Sequence, residues 1–347
     1  MTVSTTTPPR SLDDPGVGEQ YLRLVGDGDE YGAVEIVTAL LDNGVPPARV
    51  MLDLIARTQS RVGELWAAND WSIAREHAAT AISERALGAV AARSSVRPTR
   101  GRITVACVDG EWHALPVRIL GEMLRLDGWR VDFLGASVPG PHLVTHLHQT
   151  GPDAVALSCM LATRLPRAHA AITACRSVGV PVIAGGPGFG PEGRWAQRLG
   201  ADAWAANAEI AVHRLARDWP PPIDDPYQAA FLGDDEYTHL VRHRGDLVST
   251  ALTRLTQAYP PMGRYNQRQH DATVEDLGHV VDFLAAALYV GDEQVFTDFV
   301  EWTAAVLEAR SVPPVALQIG LKLMRDQLRD YPAAIAIIDA GVAALRR

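Results

Sequence analysis

Between residues 17 and 94 apolar positions recur every three or four residues, as in Val34, Ile36, Val37, Leu40 and Leu41. That spacing gathers them on one face of a helix. Three stretches carry it: "EQYLRLVGDGDEYGAVEIVTALLDNG", "PPARVMLDLIARTQSRVGELWAAND" and "WSIAREHAATAISERALGAVAARSS". They predict four short-linked helices in a bundle over residues 16–97, with Asn69 and Asp70 as a turn and N-cap. From residue 98 to 218 the pattern changes. Near-continuous apolar runs, "RITVACV", "WRVDFLG", "DAVALS", "VPVIAGG" and "ADAWAA", alternate with helical stretches. Buried strands separated by helices predict a flavodoxin-like or Rossmann-like parallel sheet with both faces covered. The proline-rich "WPPPIDDP" over residues 219–226 reads as a linker. Beyond it, residues 227–347 return to helical spacing, broken at Tyr259-Pro260-Pro261 and Val312-Pro313-Pro314. This predicts a separate all-α domain with its own core. Residues 1–15, rich in Ser, Thr and Pro, read as a disordered lead-in.

Composition narrows the function. The 347 residues are 47% hydrophobic, enough for several cores. A formal net charge of −9 argues against nucleic acid, whose phosphates require clustered Lys and Arg. The three cysteines, Cys107, Cys159 and Cys175, have no metal-site spacing and suit a reducing, cytoplasmic location. No apolar run has the length or flanks of a signal peptide or a membrane span.

The chemistry concentrates in "VACVDGEWHALPVRIL", at the carboxyl end of the first strand. Ligands of open parallel sheets bind at that edge, near a topological switch point. Asp109 or Glu111 can accept a hydrogen bond from one nitrogen of His113, fixing its tautomer and strengthening the other nitrogen as a ligand. One histidine does not make a zinc site. It suits a metal already held in a macrocycle and lacking an axial ligand.

"EWHALP" is similar to the Glu/Asp-x-His-x-x-Gly motif of cobalamin-binding domains, with Pro116 where the family has glycine. Ser158 and Leu161 in "SCML" resemble that family's Ser-x-Leu, and Gly185-Gly186 in "AGGPG" its Gly-Gly. The resemblance implies that His113 is the lower axial ligand of cobalt, held by Glu111, with cobalamin bound base-off. It further implies that Ser158 bonds the displaced base and that Gly185 and Gly186 admit the nucleotide tail. "WAANDWSIAREH" resembles the Trp-x9-Glu-His signature of light-sensing cobalamin regulators. That likeness implies Trp66 over the adenosyl group of adenosylcobalamin, Glu76 on its ribose and His77 in the same upper pocket. Those regulators place a histidine after the tryptophan, where this chain has Ala67. They also begin with a DNA-binding domain, which is not expected here.

In the C-terminal part, Arg264, Tyr265, Arg268, His270, Asp271, Asp276 and His279 crowd one helix entry, with Asp271 or Thr273 as its cap. Arginines for propionates, and a carboxylate or histidine for pyrrole N–H groups, suit a linear tetrapyrrole. Tyr289, Phe299 and Trp302 are candidate walls. His239 and His243, four residues apart, are a candidate metal pair or a polar helix face. The overall layout resembles photocobilins, which implies biliverdin as a second chromophore, light sensing through both and a light-dependent homo-oligomer without an enzyme domain. No cysteine follows Cys175, so any bilin in this part is expected to be non-covalent, and the acidic charge and hydropathy predict no DNA-binding or membrane role. Two other readings remain open: a corrinoid methyl carrier serving a methyltransferase, and a cobalamin-only sensor whose C-terminal helices dock a partner.

Overall fold

The computed structural model describes residues 9, 11–94, 96–217, 219–220 and 234–346. The first helices are α1 (Val17–Asp27) and α2 (Glu30–Asp42). A continuous rod follows, made of α3 (Pro47–Arg49), a π-helical segment Val50–Ala56 and α4 (Arg57–Ala67). α5 (Ile73–Ala92) completes the bundle. Tyr21, Val37, Leu40, Leu54, Ile55 and Leu87 fill its core at or near zero exposure. Wide-turn segments inside α-helices often mark functional sites, and this one faces the sheet domain. The cap of α5 differs from the expected pair. Asn69 takes a left-handed φ of 63° in the turn, and Ser72, not Asp70, accepts from Arg75 N–H at 3.3 Å. Most of the expected lead-in lies outside the described residues. Residues 11–16 form turns, and Leu12 packs against the bundle core.

The sheet domain contains β1 (Arg102–Cys107), α6 (Ala114–Leu126), β2 (Arg130–Gly135), α7 (Gly140–Thr150), β3 (Ala154–Ser158) and α8 (Leu165–Ser177). It continues with β4 (Val182–Gly185), α9 (Arg194–Arg198), β5 (Ala203–Ala205) and α10 (Ala208–Arg217). All pairings are parallel, in the order β2-β1-β3-β4-β5. The chain reverses its direction of travel between β1 and β3, which makes their carboxyl ends the switch point. Register aligns Cys107 with Ser158, Ser158 with Gly185 and Gly185 with Ala205, one row along that edge.

Of the expected linker, residues 221–226 lie outside the described residues, as do residues 227–233. The C-terminal helices are α11 (Asp235–Arg242), α12 (Arg244–Ala258), α13 (Gln267–Val290), α14 (Gln294–Ala309), α15 (Pro314–Gln327) and α16 (Pro332–Ala344). They do not form the independent core expected from sequence. Leu284, Phe296 and Leu321 belong to one continuous apolar cluster with Val155, Leu165 and Ile172 of the sheet domain. Polar contacts seal the seam. The Trp195 indole N–H donates to Asp292 at 2.9 Å, and His169 Nδ1 lies 2.7 Å from the Tyr289 hydroxyl. The entry of α13 is also capped differently. Asn266 and Gln269 form a capping box, which leaves Asp271 and Thr273 inside the helix.

Candidate cofactor site between bundle and sheet

The loop after β1 is organised by one buried carboxylate. Glu111 is 1% exposed. Its Oε1 accepts from His113 backbone N–H at 3.0 Å and lies 2.5 Å from His113 Nδ1. Its Oε2 accepts from Met160 N–H at 2.8 Å and Leu161 N–H at 3.3 Å. The side chain thus staples the first and third strand-end loops together. Burial alone would push the Glu111 carboxyl up, but the bonds from His113 and Met160 outweigh it and hold it at about 2. The ionised carboxylate raises the basicity of His113 by its hydrogen bond. With Nδ1–H directed at Glu111, Nε2 keeps its lone pair, the form a metal ligand needs. Sequence left Asp109 and Glu111 both open as the orienting group. The structure selects Glu111, since Asp109 instead faces Arg167 at 3.3 Å.

Behind this loop a cavity of about 380 Å³ lies between the bundle and the carboxyl edge of the sheet. Its volume falls in the range of cofactor pockets, roughly 300–1,000 Å³. Ser158, Gly185 and Gly186 line it from the strand ends, Leu115 and Pro116 from α6, and Leu52, Ala56 and Gln59 from the bundle. Pro116 is the third residue of α6, where its missing N–H costs no helical bond. It serves as a wall of the cavity. The two glycines differ in their reasons. Gly186 has φ 101°, and a Cβ there would sit 2.3 Å from the Cys159 carbonyl oxygen, so the fold itself demands glycine. Gly185 has only the Ala205 carbonyl oxygen, at 3.3 Å, near its missing Cβ. Leu161 and Trp112, at 39% and 73% exposure, leave large apolar surface on the same loops. A corrinoid fits this donor set: one oriented imidazole, an apolar rim and a cavity with few polar groups.

The bundle supplies the opposite side. The Glu76 carboxylate is one of the charges that raise the basicity of His113, after the hydrogen bond and charge of Glu111. Glu76 Oε1 accepts from the Thr80 hydroxyl at 3.0 Å, and its Oε2 contacts His77 Nδ1. The His77 ring is otherwise open to solvent, with its side chain 72% exposed. Trp66 is gripped from the C-terminal domain, a contact invisible in sequence. Its ring stacks on Trp302 with centroids 6.1 Å apart, and the Arg310 guanidinium carbon lies 5.2 Å above it. Arg310 also donates to the carbonyls of Trp66 at 3.1 Å and Ala67 at 3.2 Å.

The residues expected to hold a tetrapyrrole are dispersed. Tyr265 and Asp276 line a C-terminal cavity between α12, α13, α14 and α15, and burial raises the Asp276 carboxyl's pKa. His270 packs edge-on to Tyr265 at 6.0 Å. Arg264, Arg268 and His279 are exposed at the surface. Of the expected walls, Phe299 stacks on Phe283 inside the core, Tyr289 bonds His169, and Trp302 meets Trp66. The cavity holds about 60 Å³, too little for a tetrapyrrole in this conformation. The His239 and His243 rings lie 4.4 Å apart, with His239 stacked on Tyr331. No group of three or more His, Cys, Asp or Glu positioned for a metal occurs among the described residues.

No described helix is long and apolar enough to cross a membrane. B12 binding domain families match residues 101–216 and 17–91, covering the sheet domain and the bundle. The HTH-type transcriptional repressor CarA of Myxococcus xanthus is 32% identical over 219 residues, 60% of this chain and 71% of the repressor. A corrinoid protein of Desulfitobacterium hafniense is 29% identical over 119 residues, 33% of this chain and 54% of that protein. The trimethylamine corrinoid protein of Methanosarcina barkeri is 22% identical over 199 residues, 55% of this chain and 91% of that protein. Among solved structures, the monomethylamine corrinoid protein of M. barkeri shares the fold with a TM-score of 0.51 at 17% identity, over 58% of this chain and 96% of its own. A bundle and a parallel sheet that meet at an oriented histidine, with both parts matched, place the chain in the family of cobalamin-binding proteins built on B12-binding domains.

Proposed function

We propose that this protein is a light sensor that holds adenosylcobalamin between the bundle and the sheet edge. His113 is the lower axial ligand, oriented by Glu111. Ser158 meets the displaced base, Leu161 borders the lower face, and Gly185 and Gly186 flank the tail. Trp66 and Glu76 close over the adenosyl group, with His77 beside them. When bound, adenosylcobalamin supplies a cobalt–carbon bond that light can break. The observation that carries the reading is the grip of Trp302 and Arg310 on Trp66. It joins the residue covering the upper ligand to a third domain, so a change over the corrin has a direct mechanical outlet. Only a difference in fit between the two cofactor states can drive that change. Ala67, where related regulators carry histidine, offers only its carbonyl, to Arg310.

The test is gel filtration of the adenosylcobalamin-loaded protein in darkness and after green light. A light-dependent shift in elution supports a sensor that changes its homo-oligomeric state. An unchanged volume removes light-driven assembly. The competing methyl carrier draws support from the corrinoid relatives. It requires cobalt to be exposed to a partner enzyme, which a clamped Trp66 opposes. Methyl transfer from bound methylcobalamin to a thiol would favour the carrier.

Biliverdin as a second chromophore is supported by Tyr265 and Asp276 at the C-terminal cavity. Its binding would require α13, α14 and α15 to part. A protein-bound red band after adding biliverdin supports it, and a spectrum identical to free biliverdin removes it.

A further inference from the structure

We propose that Gln59 is an additional cofactor-reading residue: its side-chain carbonyl accepts a hydrogen bond from bound cobalamin, while its amide N–H holds Glu76 in place through Thr80. This rests on cobalamin occupying the cavity between bundle and sheet.

Three side chains form a directed chain on facing turns of α4 and α5. Gln59 Nε2 lies 2.6 Å from Thr80 Oγ1, which lies 3.0 Å from Glu76 Oε1. A carboxylate only accepts, so the single Thr80 proton goes to Glu76. Thr80 must then accept from Gln59, which fixes the amide with its N–H toward Thr80 and its carbonyl elsewhere. That carbonyl oxygen is buried and has no donor among the described residues. An enclosed acceptor without a donor is a standing cost to the ligand-free fold, and such groups call for an explanation. Gln59 also lines the 380 Å³ cavity, whose other walls are chiefly apolar. Ser60, Ser158 and Asn207 are the further polar side chains there. The missing donor therefore comes from the ligand. Cobalamin offers two kinds: carboxamide N–H groups around the corrin, and hydroxyls of an upper adenosyl group. Both present the same chemistry to an amide carbonyl. The Gln59–Thr80–Glu76 chain further means that filling the carbonyl orders the carboxylate proposed to read the ribose.

The test compares the full chain with Gln59→Met, which keeps length and packing but removes both polar atoms. Spectral titration in darkness with hydroxocobalamin and adenosylcobalamin gives affinities, and thermal melting of the ligand-free protein gives stability. The expected result is a ligand-free variant that melts no lower than wild type yet binds about tenfold more weakly, the size of one lost hydrogen bond. Weakening toward both corrinoids assigns the donor to the corrin periphery, and weakening toward adenosylcobalamin alone assigns it to the adenosyl group. Unchanged affinity for both overturns the proposal. So does a lower melting point with an undiminished cofactor-induced shift, which would make Gln59 purely structural. A wild type that binds neither corrinoid would instead defeat the siting of cobalamin in this cavity.

Discussion

At the residue scale, Glu111 decides the chemistry of the site. Four hydrogen-bond contacts converge on a carboxylate that is 1% exposed. Exchange for glutamine cannot reproduce them, because an amide N–H₂ turned either way meets an N–H donor. Glu111→Gln is expected to weaken cobalamin binding about 10–100-fold, the usual range for a group that orients a metal-ligating histidine, as measured by spectral titration. Its pH signature has a definite sign. The folded carboxyl sits at about 2, below its ordinary 4.5. Its contribution to stability is therefore complete above pH 4.5 and is lost as pH falls toward 2. Denaturant unfolding of the ligand-free protein from pH 6 down to pH 3 should show that loss in wild type and less of it in Glu111→Gln. The residues themselves left two carboxylates near His113 open, and only the motif resemblance pointed to Glu111. The choice is made by Met160 and Leu161 N–H groups some fifty residues away, and local spacing carries no record of them.

At the scale of elements, the five strands were legible because each is a short apolar run bounded by turn residues. Their carboxyl-edge row, from Cys107 through Ser158 and Gly185 to Ala205, follows from register. The role of Gly186 changed once backbone geometry was visible. Gly186→Ala is expected to cost about 2 kcal/mol or more in denaturant unfolding, through positive φ and the clash with Cys159. A loss confined to cofactor binding, with stability intact, would restore the reading from sequence alone, that this glycine serves only the ligand. Helix caps were less legible. Asn69-Asp70, and Asp271 or Thr273, looked like caps by residue type, but Ser72 and Asn266 hold those positions. Several polar residues in a row leave the cap undetermined until the chain's exit angle is known. Gln59 left no signal at all, being an ordinary polar residue on a helix whose importance lies in what surrounds it.

At the scale of the whole molecule, the C-terminal helices are a brace rather than an appendage. They share a core with the sheet domain and reach the bundle through Trp302 and Arg310. These residues lie more than two hundred positions from Trp66, so no periodicity or motif could have paired them. The double variant Trp302→Ala/Arg310→Ala is expected to retain adenosylcobalamin in darkness while losing most of the light-dependent change in elution. Equal light responses in variant and wild type would show that the brace does not transmit the change. The family matches cover residues 17–91 and 101–216, so they include Trp66 but neither Trp302 nor Arg310.

The central claim, that a protein histidine replaces the cofactor's own base beneath cobalt, has one direct measurement. It is the electron paramagnetic resonance spectrum of the cob(II)alamin-loaded protein, prepared with natural-abundance and with nitrogen-15-labelled protein. An axial nitrogen from His113 should turn the triplet splitting of nitrogen-14 into the doublet of nitrogen-15 when the protein is labelled, and His113→Ala should abolish that doublet. A triplet that survives labelling would show that the cofactor's own base still holds cobalt, and would contradict the assignment of His113.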